Sequence, residues 1–326
     1  MTLPCYCHPT SGKSAGAPTL PQRVAYSLPS LANCHMTTSF EPIALVTGAT
    51  SGIGKVTAQQ LARQGYHVVL LARNADKAAR TRQEIQPEAW PGRRVDVLLC
   101  DLSDLNQVRR AAEEFNQRYA RLDVLVNNAG LVFGNERETS ASGPEMTLTT
   151  NHLGPFLLTS LLLPKLQQSP AARIVNVASM AYQFAKPDFA TLDVAGSYSP
   201  MRAYANSKLF NIMFTQELAR RLRERGIHNV STNSLHPGVV ASNFGSNSTW
   251  LTRAFYKVAA PFMTSSEDGA QTSIYLATAP EVAQTSGGYF VKQRPEAVKS
   301  GFNTPDNAQR LWQESERLVG QPFFQE

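Results

Sequence analysis

Short apolar runs alternate with longer amphipathic stretches over most of the 326-residue chain. The runs are rich in Val, Ile and Leu, which is typical of parallel strands buried on both faces. They predict seven strands, at Ile43–Val46, His67–Ala72, Val95–Cys100, Leu122–Val126, Arg173–Ala178, Val230–Leu235 and Gly288–Val291. The stretches between them predict helices at Lys55–Gln64, Asn74–Gln86, Leu105–Tyr119, Pro144–Gln168, Tyr198–Glu224 and Glu267–Thr278. This alternation predicts a single α/β domain with a mainly parallel seven-stranded sheet flanked by helices.

A glycine-rich turn joins the first strand to the first helix. The glycines at 48, 52 and 54 have the spacing G-x-x-x-G-x-G. Glycine permits a tight turn and a close approach of backbone to ligand, and the N–H groups at a helix N-terminus attract anions. The turn therefore predicts a pyrophosphate site in a doubly wound, Rossmann-type domain. A plain surface turn is the alternative, and the strand before and helix after the turn disfavour it.

The second strand ends at Arg73, about 20 residues beyond the glycines, where an acid would bind the ribose 2′-hydroxyl of NAD. Positions 72–74 contain no acid. A guanidinium can form paired hydrogen bonds with a 2′-phosphate, so Arg73 predicts NADP (NADPH) as the cofactor. An ordinary solvated arginine is the alternative interpretation.

Tyr204 and Lys208 are four residues apart on a predicted helix and therefore share one face. A nearby ammonium group favours the phenolate and lowers the pKa of a tyrosine. A tyrosine placed in this way can exchange a proton with a reacting carbonyl or alcohol. On its own this spacing also occurs on many solvated helices.

Polar residues follow six of the predicted strands. They are Thr47, Arg73, Asp101, Asn128, Ser179 and His236. Because ligands bind beyond the carboxyl ends of strands in open α/β sheets, we expect these residues to border one crevice.

From about Pro42 to Gly320 the chain resembles the short-chain dehydrogenases/reductases, and most of all their retinol-dehydrogenase-like branch. The resemblance is carried, in order, by TGATSGIG at 47–54, Asp101-Leu102, Asn127–Gly130, Thr150–Gly154, Ser179, Tyr204 with Lys208, and His236–Gly238. It implies a catalytic group of Asn151, Ser179, Tyr204 and Lys208, with Tyr204 as the acid/base. It also implies cofactor contacts from Gly48, Ser51, Gly52, Ile53, Gly54, Arg73, Asp101, Leu102, Asn128, Ala129, Gly130, Tyr204, Lys208, Pro237, Gly238, Val239 and Ser242.

The resemblance implies an NADP-dependent oxidoreductase that interconverts an alcohol and an aldehyde or ketone. A substrate lid is expected at about 245–265, and its aromatic residues suggest a lipophilic substrate such as retinol or retinal, although they would also suit core packing or a membrane surface. Two alternatives stay open. One is an enzyme like light-dependent protochlorophyllide reductase, although the cysteines and insertion of that family are not evident here. The other is a non-catalytic NADP-binding sensor or interaction protein, a class that usually loses the tyrosine or lysine.

Composition excludes several other classes. The chain is 42% hydrophobic and 17% charged with a net charge of +6, but no basic run is interleaved with aromatic residues, so a nucleic-acid partner is not expected. No apolar run approaches the ~20 residues that span a bilayer. The Cys5-Tyr6-Cys7 segment lacks the ligand spacing of zinc sites, and no metal is predicted. Peripheral membrane contact and a homo-oligomer remain open.

Residues 1–40 contain no Asp or Glu and have no helical or strand periodicity. We interpret them as a disordered arm or as sequence upstream of a true start at Met36, with a transit peptide as the alternative. The domain is assigned to 41–320 and a tail to 321–326. Four scattered cysteines predict a reducing compartment, and a cytoplasmic location is expected.

Overall fold

The alternation of strands and helices recurs in the structure, a computed structural model that describes residues 41–134, 136–192, 197–238 and 264–324. Its strands are β1 (Ile43–Thr47), β2 (His67–Ala72), β3 (Val95–Leu99), β4 (Val124–Asn127), β5 (Ala172–Val177), β6 (Val230–His236), β7 (Tyr289–Val291) and β8 (Arg294–Pro295). Its helices are α1 (Gly52–Arg63), α2 (Ala75–Ile85), α3 (Leu105–Arg118), α4 (Gly154–Gln167), α5 (Pro200–Glu224), α6 (Ser266–Thr278) and α7 (Pro305–Val319). The amino-terminal arm, Val239, Ser242 and the lid as far as residue 263 lie outside the described residues.

The strands form one sheet in the order β3-β2-β1-β4-β5-β6-β7-β8. All neighbours pair in parallel except β7 and β8. The chain order reverses at β1, which pairs with both β2 and β4, and this confirms the doubly wound Rossmann-type prediction. The reversal also places the carboxyl ends of β1 and β4 beside the crevice where ligands bind such sheets.

Among the described residues the sheet has eight strands, one more than the seven predicted. The additional strand, β8, has only two residues and pairs antiparallel with β7. Lys292 and Gln293 form the intervening turn with φ of 49° and 64°. Positive φ at both central residues is typical of a tight hairpin, but Lys-Gln is not the glycine or asparagine pair that signals one in a sequence. A two-residue strand that contains a proline also has no apolar alternation to detect.

Both faces of the sheet are covered. Leu45 of β1 packs with the side chains of α3, α4 and α5, whereas Ala44 and Val46 pack on the other face against α1 and α6. Alternate residues of one strand therefore serve two separate apolar layers. This arrangement explains why the strands are continuous apolar runs in the sequence.

The helix predicted at Pro144–Gln168 is divided in the structure. A short helical turn at Met146–Leu148 is followed by a π-helical segment at Thr149–Leu153, and α4 begins at Gly154. The Gly154 N–H donates to the Thr149 carbonyl five residues back, and Pro155 has no N–H to continue the ordinary helical pattern. The division gives residues 149–153 a separate backbone geometry, and such single-turn π segments often occur at functional sites.

Helix α7 was not anticipated by the sequence analysis. Its inner face carries Ala308, Leu311, Trp312, Ser315 and Val319, all buried, at helical spacing. The helix packs against α5 and the π segment. Phe323, in the segment assigned as a tail, is 1% exposed and packs on Trp312 with ring centroids 4.7 Å apart. Across the described ranges, no helix is both long and apolar enough to traverse a bilayer.

Candidate active site

The glycine-rich turn after β1 is fixed to the turn after β4. The buried Thr47 Oγ1 accepts hydrogen bonds from the backbone N–H groups of Asn128 and Ala129, at 3.0 and 2.9 Å. The Asn128 Nδ2 donates to the Thr47 carbonyl at 2.9 Å. A Cβ on Gly54 would lie 2.4 Å from both Asn128 Nδ2 and the Gly48 carbonyl oxygen, and Gly48 has a φ of 65°. Both positions therefore require glycine.

At the N-terminus of α1, no side-chain cap accepts a hydrogen bond from the first backbone N–H groups. Ser51 is the N-cap residue, but its side chain makes no capping hydrogen bond, and the first turn contains no acid. The first N–H groups of a helix need partners, and the helix dipole favours an anion there. This end of α1 fits the pyrophosphate of a dinucleotide.

Arg73 and Asp101 follow β2 and β3 at the same edge of the sheet. Arg73 is exposed, and its side chain makes no hydrogen bond or ion pair with the part of the chain that the structure describes. The Asp101 Oδ1 accepts from the Ser103 N–H at 2.9 Å and from Ser103 Oγ at 2.7 Å. Leu102 is buried beside Gly154, where a Cβ would lie 2.5 Å from the Leu102 carbonyl oxygen. Arg73 is thus available to a ligand, whereas Asp101 shapes its own turn.

Lys208 lies buried beneath Tyr204 on α5. Its Nζ donates to the Val177 carbonyl at 3.0 Å and lies 5.5 Å from the centroid of the Tyr204 ring. Burial lowers the pKa of Lys208 to about 8. A Cβ on Gly130 would come within 2.9 Å of this Nζ, so glycine there leaves room for the ammonium group. The structure thus brings the predicted tyrosine and lysine together at the ends of β4 and β5.

Asn151 is held inside the π segment by hydrogen bonds on both of its amide atoms. Its Oδ1 accepts from the Leu131 N–H at 2.9 Å, and its Nδ2 donates to the Leu131 carbonyl at 2.9 Å and to Ser207 Oγ at 3.1 Å. Ser207 in turn donates to the Tyr204 carbonyl at 2.7 Å. Ser207 therefore links Asn151 to the helix that carries Tyr204 and Lys208. Sequence reasoning missed this role, since a lone hydroxyl in a helix gives no distinguishing signal.

Ser179 is two residues beyond Val177, whose carbonyl binds Lys208. It caps the short helical turn Met180–Phe184, and its Oγ accepts from the Ala181 N–H at 3.2 Å. The N–H of Met180, the residue directly after Ser179, donates to His236 Nδ1 at 3.3 Å. Burial lowers the pKa of His236 to about 4, so its ring is neutral near pH 7 and acts as an acceptor. His236 thus supports the Ser179 turn.

Three large apolar side chains close to Ser179 and Tyr204 are exposed. Met180 and Phe184, in the turn after Ser179, are 47% and 72% exposed, and Met201, in the first turn of α5, is 56% exposed. The Lys186 N–H donates to Asn206 Oδ1 at 2.8 Å, which holds the end of this turn against α5. These exposed apolar side chains lie close in sequence to the candidate catalytic residues Ser179 and Tyr204.

The remaining predictions concern the residues after β6 and the absence of a metal site. Gly238, with a φ of 93°, follows β6 at the same sheet edge, whereas Val239 and Ser242 lie outside the described residues. Within the described ranges, no group of three or more His, Cys, Asp or Glu side chains is placed to hold a metal ion.

Comparison with known proteins relates this chain to the short-chain dehydrogenases. Residues 42–250 match the family model described as short chain dehydrogenase. Retinol dehydrogenase 14 of Mus musculus is 40% identical over 289 residues, which cover 85% of this chain and 85% of that protein. Retinol dehydrogenase 11 of Homo sapiens is 40% identical over 281 residues, with 86% of each chain covered.

Solved structures show the same fold. An uncharacterised protein from Mycobacterium paratuberculosis has a TM-score of 0.67 and 30% identity, with 86% of this chain and 94% of that chain covered. A short chain dehydrogenase from Shigella flexneri, complexed with NADP, has a TM-score of 0.61 and 25% identity, with 78% and 97% covered.

Proposed function

Because this chain belongs to the short-chain dehydrogenase family of oxidoreductases, in its retinol-dehydrogenase-like branch, we propose that it reduces or forms a lipophilic aldehyde or ketone with NADP as cofactor and Tyr204 as acid/base. The observation that carries the proposal is the buried Lys208 ammonium group beneath the Tyr204 ring, with Nζ 5.5 Å from the centroid. A cation in this position favours the phenolate over the phenol. In the reducing direction Tyr204 Oη gives its proton to the substrate oxygen, and in the oxidising direction it takes that proton back.

The neighbouring groups orient the substrate. Ser179 Oγ, held in the turn that His236 supports, donates to the substrate oxygen and fixes the carbonyl in the crevice. Asn151 and Ser207 hold the π segment against α5, which keeps Asn151 in register with Tyr204 and Lys208. We also propose that the Asn151 region holds a water that links Lys208 to solvent.

The cofactor-facing residues fit a dinucleotide phosphate. The α1 N-terminus lacks both a side-chain cap and an acid, which suits a pyrophosphate, and the exposed Arg73 suits a 2′-phosphate. Bound NADPH supplies the hydride that adds to the carbonyl carbon. The NADP complex of the Shigella flexneri relative supports this choice of cofactor.

The substrate class is inferred from the exposed apolar side chains that lie near Ser179 and Tyr204 in the sequence. Met180, Phe184 and Met201 present hydrophobic side chains to solvent, and burying them against an apolar substrate is favourable. The relatives named as retinol dehydrogenases support a lipophilic substrate. We therefore propose that retinal and other hydrophobic aldehydes or ketones are substrates.

The test is a screen of hydrophobic carbonyls with NADPH and with NADH, followed by Tyr204→Phe. This change removes only the ionisable oxygen, so we expect kcat to fall by roughly a thousandfold or more while the Kd for NADPH stays within about threefold. Tyr198→Phe is the matched control, because Tyr198 OH bonds Glu145 Oε1 at 3.0 Å and has no proposed part in proton transfer. Activity in Tyr204→Phe equal to that of the control would show that Tyr204 is not the acid/base.

A further inference from the structure

His152 follows Asn151, the central residue of the π segment, and the two side chains make contacts in different directions. Asn151 bonds Leu131 and Ser207 on the side of the active site. His152, which is 1% exposed, packs against aromatic rings behind that site. Its ring centroid lies 5.5 Å from that of Phe210, 6.0 Å from that of Phe156 and 6.2 Å from that of Phe214. The adjacent residues Asn151 and His152 thus connect the active site to this aromatic cluster through one stretch of backbone.

One hydrogen bond joins the His152 ring to the C-terminal helix. His152 Nε2 lies 2.9 Å from the Oγ of Ser315, a fully buried residue. The Ser315 hydroxyl donates its own hydrogen to the Leu311 carbonyl at 2.7 Å. With the Ser315 hydroxyl assigned to the Leu311 carbonyl, Ser315 Oγ is the acceptor and Nε2 is assigned the ring proton. Burial lowers the pKa of His152 to about 4, which keeps the ring neutral near pH 7. The bond thus has a defined direction, from His152 in the π segment to Ser315 in α7.

Helix α7 is fixed on the other side to the helix that carries Tyr204 and Lys208. The Trp312 ring centroid is 6.0 Å from that of Phe214 on α5, and the Arg221 guanidinium on α5 lies 4.3 Å from the Trp312 centroid. On the same α5, Asn211 Nδ2 lies 3.5 Å from the Val177 carbonyl that also accepts from Lys208. Because the His152 ring contacts Phe210 on α5 and Ser315 on α7, it lies between these two joined helices.

We propose that the hydrogen bond from His152 to Ser315 makes α7 a positioning element of the active site, because it fixes the π segment and with it Asn151 relative to Lys208. His152 and Ser315 act through Asn151 and Lys208 and do not touch substrate or cofactor. The part of this proposal that concerns the rate rests on the proposed oxidoreductase function.

The main experiment compares Ser315→Ala with Val319→Ala. Ser315→Ala leaves the buried His152 N–H without its acceptor, so the ring must shift to find another partner. We expect kcat to fall about tenfold, and the midpoint of its pH profile to move by about half a unit because the surroundings of Lys208 change. Val319→Ala removes buried volume from the same helix without touching His152, and we expect it to lower the melting temperature with kcat kept within about twofold.

A second pair of variants separates the hydrogen bond from packing. His152→Phe keeps an aromatic ring but removes the donor without leaving a buried polar group unpaired, so we expect the rate loss of Ser315→Ala with little loss of stability. His152→Gln can place an amide N–H near the position of Nε2, and we expect it to retain kcat within about threefold.

Hydrogen exchange in the cofactor-free protein tests the coupling without turnover. We expect the amides of 149–153 to exchange about tenfold faster in Ser315→Ala and His152→Phe, but not in Val319→Ala. The proposal is overturned if exchange at 149–153 is the same in all variants, or if kcat follows the melting temperature in Ser315→Ala and Val319→Ala alike. If the wild-type protein turns over no carbonyl substrate, the proposed function fails, and the exchange experiment still decides whether α7 positions the π segment.

Discussion

The two sides of the crevice differ in how far the protein satisfies its own polar groups. On the catalytic side, both amide atoms of Asn151 and the Nζ of Lys208 are hydrogen-bonded within the chain. On the cofactor side, the α1 N-terminus has no side-chain cap, and the Arg73 side chain has no partner among the described residues. Catalytic groups need a fixed geometry before substrate arrives, whereas cofactor-binding groups reserve their hydrogen bonds for the ligand.

Apart from α4, which continues directly from the π segment, the other helices have side-chain caps at their N-termini, unlike α1. Side chains cap α2, α3, α5, α6 and α7, and the residues that accept are Asn74, Asp104, Ser199, Ser265 and Thr304. Ser51 is of a capping type as well, yet its side chain caps nothing. A bound pyrophosphate would provide the acceptors that the Ser51 side chain does not.

The largest effect is expected from removing the charge on the catalytic side. Lys208→Met keeps the length of the side chain but removes the ammonium group, so we expect kcat/KM to fall by roughly a thousandfold or more. The wild-type pKa is lowered to about 8, so the folded protein binds fewer protons than the unfolded chain from about pH 8 to 10.5, and stability rises with pH across that window. Thermal melts of Lys208→Met should lack this rise. A variant that keeps wild-type kcat/KM would remove Lys208 from the mechanism.

The next effect concerns the cofactor side. Arg73→Ala removes a guanidinium that we propose pairs with the 2′-phosphate, a charge-assisted interaction of about 1.5–3 kcal/mol. We expect kcat/KM for NADPH to fall about ten- to a hundredfold with little change for NADH, and Arg73→Asp to reverse the preference. The measurement uses one aldehyde at fixed ionic strength. Equal losses for both cofactors in Arg73→Ala would show that Arg73 does not select between them.

Features that depend on local sequence could be predicted, whereas contacts between distant parts of the chain could not. Strand and helix periodicity is a local property, and it predicted the doubly wound sheet and the position of each motif beyond a strand. The tyrosine and lysine were found because helical spacing alone puts them on one face. Nothing local predicts that Thr47 bonds Asn128, since those residues are far apart in the chain and meet only after the sheet has formed.

Two elements escaped the sequence analysis for different reasons. The π segment lies within the stretch predicted as one long helix at 144–168, and only Gly154 and Pro155 at its end distinguish it. The buried face of α7 has helical spacing and was open to prediction, but its place against Phe156 and Phe214 depends on helices that are distant in sequence.

A smaller effect is expected from closing the open end of α1. Ser51→Asp places a carboxylate at this N-terminus, where it can cap the N–H groups and interact favourably with the dipole by about 0.3–1 kcal/mol. It would also repel a bound pyrophosphate. We therefore expect a slightly higher melting temperature and roughly three- to tenfold weaker NADPH and NADH binding, because both cofactors contain this group. Asp104→Ser on α3 is the control, since it removes an acid from a capped helix end and should leave cofactor binding unchanged.

The smallest effect tests whether His236 belongs to the internally satisfied side of the crevice. Burial lowers the pKa of His236 to about 4 from an ordinary value of 6.5, so the unfolded chain gains a proton before the folded protein does as the pH falls. The free energy of unfolding should therefore decrease as the pH is lowered from about 6.5 to about 4, by on the order of 1–3 kcal/mol.

His236→Asn removes the titration, and its side-chain oxygen can still accept from the Met180 N–H. Denaturant unfolding at several pH values should show a shallower decrease in this variant, with the parts due to the similarly buried His152 and to carboxyls of lowered pKa such as Glu217 left. His228→Asn, at an exposed position, is the control and should keep the wild-type slope. An unchanged slope in His236→Asn would mean that His236 is protonated as readily in the folded protein as in the unfolded chain, and that the Ser179 turn does not depend on a neutral imidazole.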